Sequence, residues 1–258
     1  MTNLSPSKVD CFAGCPRLFF YRYIKRLPTG ENKYFLIGNI AHKALELFHE
    51  ELLRSKKNVS LKKFMGECFR TAIEKYGANK KISAGVIVRQ DLLNIKEMLL
   101  KYIKNIDING MPVVKCVEKM YKFPIGNITV QMKADRLDIL GEHRYKVVDY
   151  KTSSKPAPKK DELASVQIPT YGLWVLNDID KEAEITGEYQ YLRHVDRKAG
   201  IRTYPVTEDM MSTAKEKYIK TAEALSSGSC TFEQNFKYKY CGRVCDYAAR
   251  CLGEDAVT

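Results

Sequence analysis

The succession of hydrophobic patterns predicts an α/β core preceded by a helical lobe. Three observations carry that class. Apolar residues recur at helical spacing through residues 36–105. Period-two alternation takes over at 113–151. A helix, two strands and a final helix then follow to about residue 225, by the same pattern criteria.

The elements follow in chain order. In "SPS" (5–7) a serine can cap a short helix, and Pro16 can restart it after Cys15 because proline fits a first turn. Phe19, Phe20, Tyr21 and Tyr23 alternate with Arg17, Arg22, Lys25 and Arg26. That stretch fits either core packing or a surface that stacks bases and holds a nucleic-acid backbone. Residues 36–56 form a helix with Ala41, Leu45, Phe48 and Leu52 inward and His42, Glu46 and His49 in a polar line beside them. Residues 60–76 form a second, capped by Ser60, and 88–105 a third, with 76–85 as a link. Three β-rich runs follow, 113–126, 128–140 and 145–151. In the second, Ile128, Val130, Met132 and Ala134 alternate with polar residues, as in a half-buried strand. Residues 163–177 read as helical despite Pro169, 184–194 and 200–207 as strands, and Thr207 caps a last helix. No internal repeat or low-complexity segment interrupts the series.

The bulk numbers limit the function. With 258 residues, 45% of them hydrophobic, the chain can build one substantial core or one domain with an inserted lobe. No apolar run suits a bilayer, and the N-terminus lacks a signal-peptide pattern, so a cytoplasmic protein with no membrane partner is expected. A net charge of +12 suits a nucleic-acid partner, and equally a merely soluble basic protein. The chain has no Walker A pattern, so any unwinding partner must be another protein.

The chemistry concentrates in "KADRLDIL" and "VVDYKT". A loop of Gly141, Glu142 and His143 would place Asp135 opposite Asp149; a four-residue loop would place it opposite Tyr150. Asp149 and Lys151 share a face. Facing carboxylates repel, and a hard divalent cation such as Mg²⁺ compensates them. Lys151 beside it can hold or help deprotonate an attacking water and stabilise charge on a phosphate. The same spacing fits a solvated hairpin end with one Asp–Lys pair. Near the C-terminus, Cys241, Cys245 and Cys251 form a compact triple that wants a fourth ligand, for which Cys15 is the natural candidate. Cys11, one helical turn earlier, could substitute. Cys68, Cys116 and Cys230 read as small buried hydrophobes.

D-x(13)-D-x-K at the ends of adjacent strands resembles the PD-(D/E)XK nucleases. The surrounding text resembles their RecB-like branch: "KADRLDIL" (133–140), "VVDYKT" (147–152), "QIPTY" (167–171) and "GNIAHKALE" (38–46), in family order. Lys133 stands where the family often has glycine. The resemblance implies a central mixed β-sheet flanked by helices, a restriction-endonuclease-like core. It implies one domain over 1–258, with 52–112 as the helical lobe and 1–30 joined to 230–258 as a cysteine clasp. By the same resemblance His42, Asp135 and Asp149 hold Mg²⁺ or Mn²⁺, and Lys151 assists the water. Gln167 and Tyr171 orient Lys151 or touch the DNA backbone. Glu118 reads as a second-sphere acid or a solvated strand end, and Asp138 as structural.

The cysteine arrangement resembles the iron–sulfur RecB-like nucleases, including the AddB nuclease domain and the CRISPR-associated exonucleases. It implies a 4Fe–4S cluster on Cys15, Cys241, Cys245 and Cys251, although Cys241 and Cys245 are separated by three residues where the family usually has two. Structural Zn²⁺ suits four thiolates as well. The implied activity is a metal-dependent DNA exonuclease, with endonuclease cleavage admitted, on single strands or duplex ends. The alternative is a nuclease-like DNA-binding module that serves a helicase, recombination or CRISPR adaptation complex. A metal-stapled basic protein unrelated to nucleases ranks last, since it makes four ordered motifs accidental.

Overall fold

The computed structural model describes residues 2–30, 32–54, 60–227, 230–238, 241 and 245–254. Parts of the expected clasp (239–240, 242–244, 255–258) and of the helix expected to end at 56 lie outside the described residues. The architecture is mixed α/β, with helices flanking two sheets. One sheet has three strands in the order β1 (Thr2–Leu4), β4 (Ile128–Lys133), β3 (Met120–Ile125). The other has five, in the order β2 (Val114–Val117), β5 (Arg136–Gly141), β6 (Arg144–Lys151), β7 (Glu184–Tyr191), β8 (Ile201–Pro205). Each sheet contains one parallel pair, β1 with β4 and β6 with β7.

The single expected sheet is thus two, and the three runs of 113–151 are five strands. The physical reason lies at two breaks. Glu118 takes a left-handed backbone, φ 47°, and ends β2. Asp135 ends the alternating run of β4 before β5 begins. The two breaks adjoin, since the Glu118 N–H donates to the Asp135 carbonyl at 3.1 Å. At each break the chain crosses from one sheet to the other. A period-two pattern records alternation but does not record the change of partner.

The β5–β6 hairpin keeps the expected register where it matters. Arg136 pairs with Val148, and continuing by one residue sets Asp135 beside Asp149. The turn itself differs. Gly141 pairs with Arg144 across a two-residue turn, and a register shift at Leu140 absorbs the extra residue. His143 supplies the turn's left-handed residue, φ 51°.

Strand β6 is buried on both faces. Val147 joins a core with Leu137, Ile168, Trp174, Met211 and Tyr218, beneath α8 (Gln167–Trp174) and α9 (Glu208–Ser226). Val148 and Tyr150 face a second core in the helical lobe, built from α3 (Lys33–Arg54), α4 (Leu61–Lys75) and α6 (Arg89–Asn109). In chain order the remaining described helices are α1 (Pro6–Gly14), α2 (Pro16–Phe19, continued by a π turn to Ile24), α5 (Ala78–Ser83), α7 (Lys159–Ala164) and α10 (Ala248–Glu254). Residues 76–85, expected as a link, contain α5. Ser5 and Thr207 cap as expected, accepting from the N–H groups of Lys8 and Met210. Pro169 sits in the first turn of α8, where its missing N–H costs nothing. Gly187 on β7 lets α8 lie directly on the sheet, because a Cβ there would run into Ile168.

Candidate metal centre and its lysine

Three side chains converge at the break between the sheets. His42 from α3, Glu118 and Asp135 offer ligand atoms that all lie within 4.8 Å of one another. His42 Nδ1 is 3.2 Å from Asp135 Oδ1 and 3.6 Å from Glu118 Oε1. Its other nitrogen, Nε2, lies 3.1 Å from the Tyr150 carbonyl. A carbonyl only accepts, so Nε2 carries a proton and Nδ1 is left to face the acids, the tautomer a metal-binding imidazole needs. Asp135 is oriented too: its Oδ2 accepts from the Tyr150 N–H at 2.7 Å. One peptide unit on each side of Tyr150 therefore aims two of the three groups.

The electrostatics fit a cation. Burial alone would lower the His42 pKa, but the Asp135 and Glu118 carboxylates outweigh it and push it up to about 10. A proton on Nδ1 occupies the place a divalent ion would take. Glu118 holds its position at a cost, since a left-handed non-glycine backbone is unfavourable by about 1–2 kcal/mol. Such strain persists where the surroundings or the function require it.

Asp149 and Lys151 lie next door and outside that triad. Burial raises the Asp149 pKa, with Lys151 opposing, to about 6. Asp149 Oδ1 accepts from Gln167 Nε2 at 2.5 Å. Oδ2 pairs with the Lys151 ammonium at 2.6 Å, so both oxygens of this buried carboxylate have partners. Lys151 is desolvated, yet Asp149 more than compensates and raises its pKa, so the ammonium stays charged. It also donates to Gln167 Oε1 at 3.1 Å. Gln167 Nε2 donates in addition to the Tyr171 hydroxyl at 2.8 Å, and Tyr171 donates to the Lys133 carbonyl at 3.1 Å. Gln167 thus bridges Lys151 and Asp149, while Tyr171 ties α8 to the end of β4.

The structure brings together His42, Asp135, Asp149, Lys151, Gln167 and Tyr171, and adds two residues. Glu118 is a member of the triad, at a chain break where the sequence suggests a strand start. Lys133 reaches into the site and pairs with Glu118 Oε2. The sequence marks both positions, one as an acid between apolar runs and one as a departure from a glycine, but contains no signal that they meet. The aromatic stretch near residue 20 is packing: Phe19 and Tyr21 are buried, Phe20 lies against Phe232, and Arg22 pairs with Asp246 at 2.9 Å. Among the described residues the well-exposed aromatic rings are Tyr34 and Phe35, 67% and 61% exposed at the start of α3, and Phe236, 66% exposed near the C-terminus.

Beneath the triad, on the lobe side of the sheet, Arg136 is fully buried. It makes a bidentate pair with Asp138 at 2.7 and 2.9 Å and donates to the Tyr150 hydroxyl at 2.6 Å. It also reaches the hydroxyl of Tyr102 and, at 3.3 Å, His49 Nε2. Burial and Arg136 both lower the His49 pKa, so His49 is neutral.

At the chain ends, Cys15, Cys241, Cys245 and Cys251 line one cavity together with Arg17, Tyr238 and Tyr247. Cys11 is buried nearby, outside that lining, with burial pushing its thiol up to about 11. The ends interlock around the cavity. Arg17 Nε donates to the Phe232 carbonyl at 2.9 Å, Asn235 to Gly14 at 2.8 Å, and the Tyr247 hydroxyl to Leu27 at 3.0 Å. Cys68 is buried in the lobe, Cys116 accepts from the Tyr121 hydroxyl, and Cys230 is half-buried.

Residues 3–252 match the family model of the PD-(D/E)XK nuclease superfamily. No curated protein matches the sequence. Among solved structures, the chain is similar to a candidate exonuclease of Eubacterium rectale, at 12% identity and TM-score 0.54, over 88% of this chain and 82% of that one. SSO0001 also matches, at 16% identity and TM-score 0.40, over 98% of this chain and 86% of that one. No described helix is long and apolar enough to cross a membrane.

Proposed function

Because this chain belongs to the PD-(D/E)XK nuclease superfamily, we propose that it is a Mg²⁺- or Mn²⁺-dependent deoxyribonuclease of the RecB-like branch. It acts as an exonuclease, with endonuclease cleavage admitted, on single-stranded DNA or duplex ends. The observation that carries the reading is the convergence of His42, Glu118 and Asp135 beside a charged Lys151.

The donor set fits the ion: two carboxylates suit Mg²⁺, and the imidazole nitrogen extends the choice to Mn²⁺. Asp135, His42 and Glu118 would hold it, with Asp149 as the further carboxylate beside them. When bound, the ion polarises the scissile phosphate and lowers the pKa of a water. Lys151 supplies a fixed positive charge where negative charge grows on the phosphate. Gln167 keeps that ammonium from collapsing into a single pairing with Asp149, and Tyr171 fixes Gln167. Lys133, 45% exposed, presents a second cation at the same edge. Tyr34 and Phe35 stand about 12 Å along α3 from His42, within reach of unpaired bases next to the cut. The net charge of +12 supports a polyanionic substrate.

The test is digestion of end-labelled DNA, single-stranded and duplex, by anaerobically purified protein with either metal. The wild type is expected to cut. Lys151→Ala is expected to bind the DNA and cut at least about 10²-fold more slowly. If both bind and neither cuts, the chain is a binding module for a helicase, recombination or CRISPR adaptation partner.

The four cysteines lining one cavity support a structural cluster that clasps the chain ends. The resemblance of the cysteine arrangement to the iron–sulfur RecB-like nucleases favours 4Fe–4S, while zinc suits four thiolates as well. Fixing ends more than 200 residues apart removes unfolded-state entropy at a cost that grows only slowly with loop length. Anaerobically purified protein is expected to contain iron and acid-labile sulfide in equal amounts, and Cys245→Ser to lose both and melt lower. Stoichiometric zinc without sulfide would replace the cluster by the zinc alternative.

A further inference from the structure

The helical lobe carries a feature the nuclease site does not use. Helices α4 and α6 flank an open groove of about 510 Å³, the size of a ligand site. Its floor is apolar, from Phe69 and Ile73 on α4 and Leu99 and Leu100 on α6. Its rim is cationic: the four ionisable residues on its lining are Lys62, Lys63, Arg70 and Lys96. Arg89, Leu93, Lys96 and Leu100 recur on one face of α6, so the cation–apolar alternation continues beyond the groove. Leu93 and Leu100 are both exposed.

Gly66 is the second, independent observation. It lies in the middle of α4 and lines the groove. A glycine there weakens the helix by about 1 kcal/mol relative to alanine. Among the described residues nothing requires it, because a Cβ at Gly66 would meet no atom of them within 4 Å. The missing side chain serves no packing against those residues. It deepens the groove between Lys62 and Phe69.

We propose that this groove docks an acidic amphipathic helix of a partner protein, its apolar stripe on the floor and its carboxylates against the cationic rim. Residues Lys62 to Ile73 extend about 16 Å along α4, three turns of such a helix. The chemistry separates this occupant from two others. Single-stranded nucleic acid would ask for a row of flat aromatic faces, and the floor offers aliphatic side chains and one phenylalanine. A second copy of this chain would bring its own basic rim against this one, at a net charge of +12 each. The proposal stands apart from the nuclease reading, since none of the residues lining the groove belongs to the metal centre or its lysine.

The experiment uses the full chain and a panel of fluorescein-labelled peptides about four turns long, with Leu and Phe at helical spacing and Asp and Glu elsewhere. Each has a scrambled partner of the same composition, and binding is read by anisotropy. At least one peptide is expected to bind about tenfold tighter than its scramble, and more weakly at high salt. Gly66→Leu fills the groove while improving the helix, so it is expected to melt no lower than the wild type and to lose at least about tenfold in affinity. The double variant Lys62→Glu/Lys96→Glu is expected to lose as much, with DNA cleavage unchanged in both. The proposal fails if no peptide exceeds its scramble or if Gly66→Leu binds as the wild type does. It fails equally if Gly66→Leu instead weakens binding of a single-stranded oligonucleotide, or abolishes a concentration-dependent dimer.

Discussion

Asp135→Asn is expected to leave the fold intact and DNA binding without metal unchanged, while cleavage falls at least about 10³-fold and Mn²⁺ binding by calorimetry disappears. The separation of effects follows from what each Asp135 oxygen does. An asparagine carbonyl can still accept from the Tyr150 N–H that Oδ2 now holds. The lost charge is the one facing His42 Nδ1 at 3.2 Å and the buried Asp149. Removing it relieves repulsion against Asp149, but it also takes away the partner that holds His42 charged, and the fold lowers the Asp135 pKa, so the metal-free variant should melt somewhat lower at neutral pH. Glu118→Gln tests whether the triad acts as a set. If Glu118 is a ligand, its variant loses Mn²⁺ affinity on the scale of Asp135→Asn. If Glu118 only steadies Lys133, the loss stays within about 10–100-fold, the range of outer partners. An Asp135→Asn protein that binds Mn²⁺ like the wild type would remove the metal centre from this site altogether.

The positions of these residues were only partly legible in the sequence. The hairpin register followed from counting back from the turn, and it held although the turn is one residue shorter than expected, because the irregularity at Leu140 restores the count before the site. The sharing of a face by Asp149 and Lys151 followed from strand alternation alone. Gln167 and Tyr171, one turn apart, were bound to neighbour each other if the segment was helical. What alternation cannot carry is a change of partner strand. Glu118 and Asp135 meet because two consecutive runs leave one sheet and enter another at the same level. That is long-range information, and the only local trace is an acid interrupting an apolar run. Gly66 shows the opposite case: its sequence position is plain, and its lack of any neighbour needs coordinates. Likewise, the aromatic–basic stretch near residue 20 looked able to face DNA, but the C-terminal segment packs on Phe20, Tyr21 and Arg22 through Phe232, Tyr247 and Asp246, and leaves only Lys25 and Arg26 of its basic residues exposed.

The largest effect on stability is expected at Arg136, below the site. Arg136→Met strands Asp138 in the core, where its carboxylate is 1% exposed. Breaking one partner of a buried pair costs about 3–5 kcal/mol. For a chain of this size that lowers the melting temperature by roughly 10 °C. Lys146 does not rescue Asp138: it lies 3.8 Å away and is shared with Glu188 at 3.3 Å. The double variant Arg136→Met/Asp138→Leu removes both charges, so most of the stability should return, and the double-mutant cycle should show strong coupling. Catalysis should not return with it. Arg136 holds the Tyr150 hydroxyl on one face of β6, while the peptide groups of Tyr150 orient Asp135 and His42 at the strand's end. A well-folded double variant with weaker Mn²⁺ binding would identify Arg136 as a positioning residue of the metal centre. One with wild-type Mn²⁺ affinity would confine Arg136 to joining the lobe and the sheet.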